Sequence, residues 1–385
     1  MTALTAPLPV DDLAVLRRRG SAKWRMYPGD VLPLPVAEMD FALAPVIADA
    51  LHAAVDASDT GYSMLGDELG NSFAAFAAGR WSWQLDAGSV VPVTDVGVGA
   101  VELLRSLCTP GDAVVINPPV YAPFFHWVAE TRTRLVEAPL RQDSSGCWRL
   151  DLDVLENAFR QHPAAYILCN PHNPVGRVHD ADELRTVVAL AHEHEVAIIS
   201  DEIHAPLVLP GATFTPLLTL PGANEVAVSL VSASKAWNLA GLKCALVVSA
   251  PAMRSVVDAM PPDGRWRIGH FGALATVAAF RSGEPWLDLL HQTLDLRRRE
   301  LASLLSEHLP QVRMQPPEAT YLAWLDCRSH GSGDEPRDLF LQRARVALEP
   351  GPAFGTPGSG HVRLNFATSA HILSEAVERM GAAVR

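Results

Sequence analysis

The feature that most constrains the fold is a long stretch in which short apolar runs alternate with segments of helical periodicity. This alternation begins near residue 89 and is typical of a mostly parallel sheet covered by helices. Helices are predicted between the strands at residues 99–107, 124–130, 153–160 and 181–193. The apolar runs predict strands at residues 90–94, 113–117, 134–138, 165–170, 197–200, 226–231 and 244–248. The fold class is therefore predicted to be α/β.

The rest of the chain has a different pattern, which predicts a second, smaller α+β domain. Helical periodicity dominates residues 271–308, and short strands, a helix at 338–346, a strand at 361–366 and a closing helix at 372–384 follow. At 385 residues the chain is long enough for two domains of about 150 residues or more. We predict a large domain at residues 51–288, and a small domain built from residues 1–50 and 289–385.

Composition excludes several classes of function. The formal charge of −12 disfavours both nucleic-acid binding and docking on an anionic membrane. The five cysteines are scattered and form no CxxC pair, which favours reduced thiols in a cytoplasmic protein and no zinc framework. We see no signal peptide and no apolar run approaching the roughly 20 residues of a membrane span. We expect no metal site.

Polar side chains follow several of the predicted strands, where open α/β sheets bind their ligands. Lys235 is the least ordinary of them, because a lysine at the end of a buried strand suits a Schiff base with a carbonyl cofactor. A helix that opens near Gly99 offers N–H groups to a phosphate. The remaining members of the set are Tyr121, Asn173, Asp201, His204, Ser232 and Ser234. An amine, a carboxylate, an aromatic ring and a phosphate cradle are together what pyridoxal phosphate requires.

Several of these residues also have plainer interpretations. Lys235 alone could be a surface lysine, and Asn173 alone could form a turn. The GVG run at residues 97–99 suggests a dinucleotide fingerprint, but Glu102 stands where a further glycine is needed. His192 and His194 are two residues apart on a helix and would not share a face, which disfavours a metal site.

These motifs identify a family resemblance that runs nearly end to end. The chain resembles the fold-type-I pyridoxal-phosphate enzymes of the aminotransferase superfamily, and within them the MalY/PatB-type cystathionine β-lyases, or C–S lyases. The resemblance implies a mostly parallel central sheet in a large domain, plus a smaller α+β domain. The matching segments are residues 36–41 (VAEMDF), 117–121 (NPPVY), 169–176 (CNPHNPVG), 200–204 (SDEIH), 232–235 (SASK), 320–326 (TYLAWLD) and 362–366 (VRLNF).

The resemblance also implies a role for each site residue. Lys235 would carry the cofactor and move the substrate Cα proton, and Asp201 would face the pyridine nitrogen. Tyr121 would stack on the ring. Asn173 and His204 would hold its phenolic edge. Arg363 would grip the substrate carboxylate, with Asp40 nearby. The phosphate would be surrounded by Gly99, Ala100, Val101, Ser232, Ser234 and Lys243, and by Tyr62 from the other subunit of a homodimer.

The implied reaction is β-elimination on cystathionine or a cysteine S-conjugate, which gives a thiol, pyruvate and ammonia. An aminotransferase shares the early steps and stays open as an alternative, as do a specialised biosynthetic S-conjugate lyase and a regulatory protein that retains the fold. Two positions depart from the family pattern. Lys243 stands where the lyases often have Gln, and Ala319, where Gly is usual, could narrow the substrate entrance.

Overall fold

A computed structural model describes residues 6–330 and 335–384 of the chain. In this part of the chain, a seven-stranded sheet forms the centre of the fold. Only Ala245–Ser249 runs antiparallel to its neighbours, and the other six strands share one direction. The prediction of a mostly parallel α/β sheet is confirmed. The spatial order is Val90–Val93, Ala245–Ser249, Ala227–Val231, Ala197–Asp201, Ala165–Cys169, Ala113–Ile116 and Arg134–Glu137.

Both faces of this sheet are covered, which explains why its strands read as continuous apolar runs. Neighbouring residues point to opposite faces, so Ile198 packs into one apolar core and Ile199 into the other. The helices that flank the sheet are Pro45–Asp56, Gly66–Trp81, Val96–Leu107, Pro123–Glu130, Leu152–Phe159, Ala181–Glu193, Arg254–Asp258 and His270–Ser282.

A second, antiparallel sheet forms from the C-terminal part of the chain. Its order is Arg313–Met314, Leu322–Asp326, His361–Asn365 and Glu349–Pro350. It is accompanied by the long helix Glu284–His308 and the closing helix Ala370–Ala383. The helix predicted at residues 338–346 is present but ends two residues early and is not a regular α-helix throughout. Pro336–Leu339 is followed by a wide-turn helix, Phe340–Ala344, which ends because Arg345 adopts a left-handed conformation with φ of 54°.

The N-terminal segment packs against this C-terminal unit. Leu32–Pro33 pairs in parallel with Val346–Ala347, and the carboxylate of Asp30 lies 2.7 Å from the guanidinium of Arg345. The N-terminal segment therefore packs with the C-terminal unit although the two are far apart in sequence, as expected from the late start of the α/β pattern. The domain bounds themselves stay a prediction. No helix in the described residues is long and apolar enough to cross a bilayer.

Residues 35–40, which we call the strap, tie the small sheet to the turn that carries Lys235. The side-chain amide of Asn365 donates to the carbonyls of Val36 and Glu38, at 2.7 and 2.6 Å. From the other side, Asn238 accepts from the Met39 N–H at 2.9 Å and donates to the Met39 carbonyl at 3.0 Å. The strap is therefore held by side chains from both units.

A buried ion pair anchors the end of the strap. Lys23 Nζ lies 2.8 Å from Asp40 Oδ2, and the two side chains are only 1% and 0% exposed. The indole N–H of Trp24 donates to Asp40 Oδ1 at 2.9 Å. Removing one partner of such a pair leaves an uncompensated buried charge, which is far costlier than losing a pair at the surface.

We therefore expect Lys23→Met to lower the free energy of unfolding by about 3–5 kcal/mol. Urea unfolding followed by tryptophan fluorescence measures this loss. The matched control is Arg160→Met, which breaks an exposed pair with Glu156 and should cost at most about 1 kcal/mol. Equal losses in the two variants would show that the buried pair does not stabilise the fold.

Candidate active site

The carboxyl ends of the parallel strands open into a cavity of about 260 Å³. The first residue of the antiparallel strand, Ala245, lies at this same edge, so the residues just before that strand reach the cavity as well. Loops after five different strands therefore contribute to one site. Its lining includes seven predicted residues: Tyr121, Asn173, Asp201, His204, Ser234, Lys235 and Lys243.

Lys235 lies in this cavity with its amine against the strap. Its Nζ donates to the carbonyl of Ala37 at 3.2 Å. Burial, with the positive charge of Arg363 as a smaller cause, lowers the pKa of Lys235 from 10.5 to about 8, although Glu38 and Asp201 act in the opposite direction. The amine is thus much closer to its neutral, nucleophilic form at physiological pH than an ordinary lysine is.

Asp201 ends its strand inside the cavity and is almost completely buried. Its Oδ1 accepts from the Ile203 N–H at 3.1 Å. Burial raises the pKa of Asp201 to about 7, against the smaller opposing effects of this hydrogen bond and of Lys235. A cation placed against this carboxylate would favour its ionised form, and a protonated ring nitrogen is such a cation.

His204 lies one turn beyond Asp201 and is also buried. Burial lowers the pKa of His204 to about 3, so its imidazole is neutral at physiological pH. Its Nδ1 is buried and has no hydrogen-bond partner among residues 6–330 and 335–384. This nitrogen is therefore available to a group that enters the cavity.

Arg363 reaches this site from the small sheet. Its Nη1 donates to Asn173 Oδ1 at 3.0 Å and its Nη2 donates to the Pro35 carbonyl at 2.9 Å. The guanidinium carbon lies 5.0 Å from the centre of the Phe354 ring. These contacts fix the plane of the guanidinium, while its buried Nε has no partner among the residues that the structure describes.

The residues predicted to contact the phosphate at Gly99, Ala100 and Val101 do not line the cavity. The helix begins at Val96, capped by Asp95, so the Gly99 N–H already donates to the Asp95 carbonyl at 2.9 Å. A β-carbon on Gly99 would come within 2.9 Å of Leu230, which shows that this glycine packs against the sheet. The first N–H groups of the helix, at Val96 and Gly97, lie at the cavity instead.

Lys243, Ser232 and Ser234 differ in their contacts near the start of this helix. Lys243 Nζ lies 3.0 Å from Asp95 Oδ2, so an entering phosphate would share this cation with a carboxylate. Ser234 lines the cavity. The buried Ser232 hydroxyl donates to the Cys244 carbonyl at 2.8 Å and accepts from the Ser234 N–H at 3.1 Å, so it braces the turn rather than facing the cavity.

Two further predictions, for Asp40 and Ala319, meet a different geometry, whereas the prediction for Tyr62 concerns the cofactor of the other subunit and stays a prediction. Asp40 does not line the cavity, because its carboxylate is taken up by Lys23 and Trp24. Ala319 is fully buried and bridges Val208, so its side chain does not narrow the cavity. Tyr62 is 78% exposed and lies outside the cavity of its own chain.

Sequence reasoning missed two contributors to the site. The Ala37 carbonyl accepts from both Lys235 and the Tyr321 hydroxyl, the latter at 2.9 Å. Trp127 lines the cavity wall from the helix Pro123–Glu130. A sequence does not indicate which backbone carbonyls accept hydrogen bonds from site residues. Tyr321 lay in a quoted motif, but nothing in that motif distinguishes a site tyrosine from a core tyrosine.

The donor set fits pyridoxal phosphate. Lys235 supplies the amine, Asp201 a buried acid that needs a cation, and His204 a buried nitrogen without a partner. Tyr121 supplies an aromatic face. The start of the helix Val96–Leu107, Ser234 and Lys243 supply donors for a phosphate.

The lowered pKa of Lys235 makes a prediction that the cofactor-free protein can test. The sequence has three lysines, Lys23, Lys235 and Lys243, so peptide mapping resolves each one. An amine-reactive label attacks only the neutral amine. Labelling of Lys235 should therefore rise with a midpoint near pH 8, where its neutral form begins to dominate, rather than near 10.5. A midpoint near 10.5 would contradict the effect of burial, and Lys235→Arg should abolish labelling of this peptide.

Comparison with known proteins agrees with this site. The aminotransferase class I and II family matches residues 29–380. The chain is 46% identical to a "Putative cystathionine beta-lyase" of Mycobacterium leprae, over 98% of both chains. It is 33% identical to cystathionine beta-lyase PatB of Bacillus subtilis, over 92% of this chain and 93% of that protein. The structure of a pyridoxal-phosphate-bound C–S lyase from Staphylococcus hominis matches with a TM-score of 0.90 and 26% identity, over 98% of both chains. The chain therefore belongs to the aminotransferase class I and II family, as its motifs predicted.

Proposed function

We propose that this protein is a pyridoxal-phosphate-dependent carbon–sulfur β-lyase that acts on L-cystathionine or a related cysteine S-conjugate in the cytoplasm. The products are a thiol, pyruvate and ammonia. The main support for the proposal is that one cavity is lined by both Lys235, an amine whose pKa is lowered, and Asp201, a buried acid whose pKa is raised. Shifted pKa values of two neighbouring groups in one cavity are typical of sites of acid–base catalysis. The names of the two relatives support the choice of a carbon–sulfur bond.

Bound pyridoxal phosphate would supply a carbonyl that joins to amines and a ring that withdraws electrons from the substrate Cα. The chain supplies the proton chemistry. Neutral Lys235 can take the Cα proton as a general base, since its pKa of about 8 lies near the working pH. The Ala37 carbonyl orients this amine, and the strap holds that carbonyl in place.

Arg363 would bind the α-carboxylate of the substrate. Asn173 and the Pro35 carbonyl hold two of its nitrogens and leave the guanidinium charge without a carboxylate partner among the described residues. A carboxylate placed there would form the charge-assisted, directional contact for which arginine is suited. Tyr121, whose pKa is raised by burial, would cover the ring and keep its own proton.

An assay without a keto acid tests the reaction type. L-cystathionine alone should yield pyruvate, detected by coupling to lactate dehydrogenase. The holoenzyme should absorb in the visible range. Lys235→Ala should lose this band and at least about 10²-fold in rate, because the general base is gone. Lys243→Gln, a lysine that lines the same cavity, should keep the band and release the cofactor more readily on dialysis.

Three results would contradict the proposal. Turnover only after a keto acid is added would show an aminotransferase. A wild-type protein that stays colourless with added pyridoxal phosphate would remove the cofactor from the proposal. Retention of the visible band by Lys235→Ala would remove the role of Lys235.

We also infer a homodimer in which Tyr62 reaches the phosphate of the partner's cofactor. An exposed patch of Tyr62, Met64 and Trp266, which are 78%, 79% and 55% exposed, supports this assembly. The Tyr62 and Trp266 rings meet edge to face at 5.8 Å. Large apolar side chains that cluster at a surface usually mark an interface. A twofold interface would place each Tyr62 toward the other subunit.

Mixing two inactive variants tests whether the site is shared. Tyr62→Ala and Lys235→Ala homodimers should each be impaired. A hybrid dimer formed by mild denaturation and remixing contains one site with both native residues, so lyase activity should return. If Tyr62 served its own chain, remixing would restore nothing, and if it served no chain, the Tyr62→Ala homodimer would keep its activity. Remixed Lys235→Ala with itself is the control.

A further inference from the structure

A second cavity, of about 270 Å³, lies on the small sheet outside the proposed active site. One wall comes from the small sheet and the segment before it, through Arg313, Met314 and Trp324. The other comes from the hairpin formed by Arg141–Gln142 and Trp148–Arg149, and from Val175. We call this space the seam cavity, because it lies between the large α/β unit and the small sheet.

Two buried polar atoms at the seam cavity have no hydrogen-bond partner in the described part of the chain, although the carboxylate of Asp326 lies 4.0 Å from one of them. They are Trp324 Nε1 and His361 Nε2, on side chains that are 5% and 1% exposed. The two rings stack with their centroids 5.0 Å apart and an angle of 8° between their planes. Buried polar groups are almost always hydrogen-bonded, so two adjacent exceptions beside a cavity point to an occupant.

The hydrogen-bonding roles of the two atoms are determined. Trp324 Nε1 is only a donor. His361 Nδ1 lies 2.9 Å from the Ser359 carbonyl and must donate to it. Burial lowers the pKa of His361, so the ring is neutral and its Nε2 is an acceptor. The occupant therefore needs one acceptor and one donor close together.

The charges at the seam cavity select an anion. Asp326 is neutralised by Arg328, whose Nη2 lies 2.7 Å from Asp326 Oδ2. Arg313, on the first strand of the small sheet, forms no ion pair with a described residue. One positive charge, on Arg313, therefore remains in the same lining as the Trp324 donor, and a carboxylate matches both. Val175 and Met314 add an apolar surface for a short side chain.

The seam cavity is also connected to Arg363. Trp324 and Arg363 are cross-strand neighbours, and His361 lies two residues before Arg363 on the same face of the sheet. The Phe354 ring packs 5.2 Å from the Trp324 ring and 5.0 Å from the Arg363 guanidinium. Val175 follows Asn173, the partner of Arg363, by two residues. An occupant of the seam cavity would thus contact Trp324 and Val175, which adjoin the two supports of Arg363, Phe354 and Asn173.

We propose that the seam cavity binds a small carboxylate that carries a hydroxyl or amino group on the adjacent carbon and a short apolar side chain. Trp324 and Arg313 would bind the carboxylate, and His361 would accept from the adjacent group. The occupant bridges the two units and holds Arg363 in its binding orientation. Binding itself does not depend on the proposed lyase activity, whereas the kinetic effect rests on it.

The test uses L-2-hydroxy-4-methylpentanoate, which has no amine and so cannot react with the cofactor. Titration calorimetry on the holoenzyme should show saturable binding. Arg313→Gln and Trp324→Phe should each weaken it about tenfold, the loss expected for one hydrogen bond to a charged group. The uncharged amide of this acid, and 4-methylpentanoate, which lacks the hydroxyl, should each bind more weakly than the acid.

Controls separate this site from the active site. Arg313 is exposed on the small sheet, so Arg313→Gln should fold normally and retain basal turnover. Saturating hydroxy acid should lower the KM for L-cystathionine by at least about fivefold in the wild type and leave Arg313→Gln unaffected. Equal binding by the wild type and both variants, or binding abolished only by Arg363→Lys, would overturn the seam site. Binding without any change in KM would overturn the connection to Arg363.

Discussion

The site depends on burying opposite charges at the end of a sheet. Lys235 and Asp201 each lose hydration there, and each is shifted toward its neutral form. Full hydration would leave both ionised at neutral pH, and a charged amine cannot act as a base. The cost of this burial must be met by the surrounding fold. The strap meets part of it, since its Ala37 carbonyl accepts from the lysine amine.

The strap also connects the two structural units. Its carbonyls contact Arg363 and Asn365 from the small sheet, and its Met39 contacts Asn238, three residues beyond Lys235. A shift of the small sheet would therefore move both the carboxylate-binding arginine and the carbonyl that orients the base. The buried pair of Lys23 and Asp40 anchors one end of this connection. Asp40, predicted to bind substrate, instead pairs with Lys23 and anchors the strap.

Much of the fold and of the site could be predicted from the sequence, for identifiable reasons. Buried parallel strands give continuous apolar runs. Polar residues just after such runs lie at the carboxyl edge of the sheet, so the sequence pattern indicates Asp201, Asn173 and Lys235 as site residues. Helix starts are less certain. The glycines at 97 and 99 obscure the cap at Asp95, so the predicted helix start at residue 99 lies three residues after the observed start at Val96. Contacts through backbone carbonyls, and side chains that reach across units as Lys23 does, depend on tertiary packing that local pattern does not encode.

The small number of lysines limits the side chains with which an aldehyde can react. Of the 31 basic Lys and Arg residues, three are lysines. Lys23 is enclosed with Asp40, and the other two lie at the cavity. Guanidinium groups stay protonated and do not compete for a carbonyl at neutral pH. The outer surface therefore offers few lysine amines to a free aldehyde, and the lysine whose pKa is lowered, Lys235, lies in the cavity.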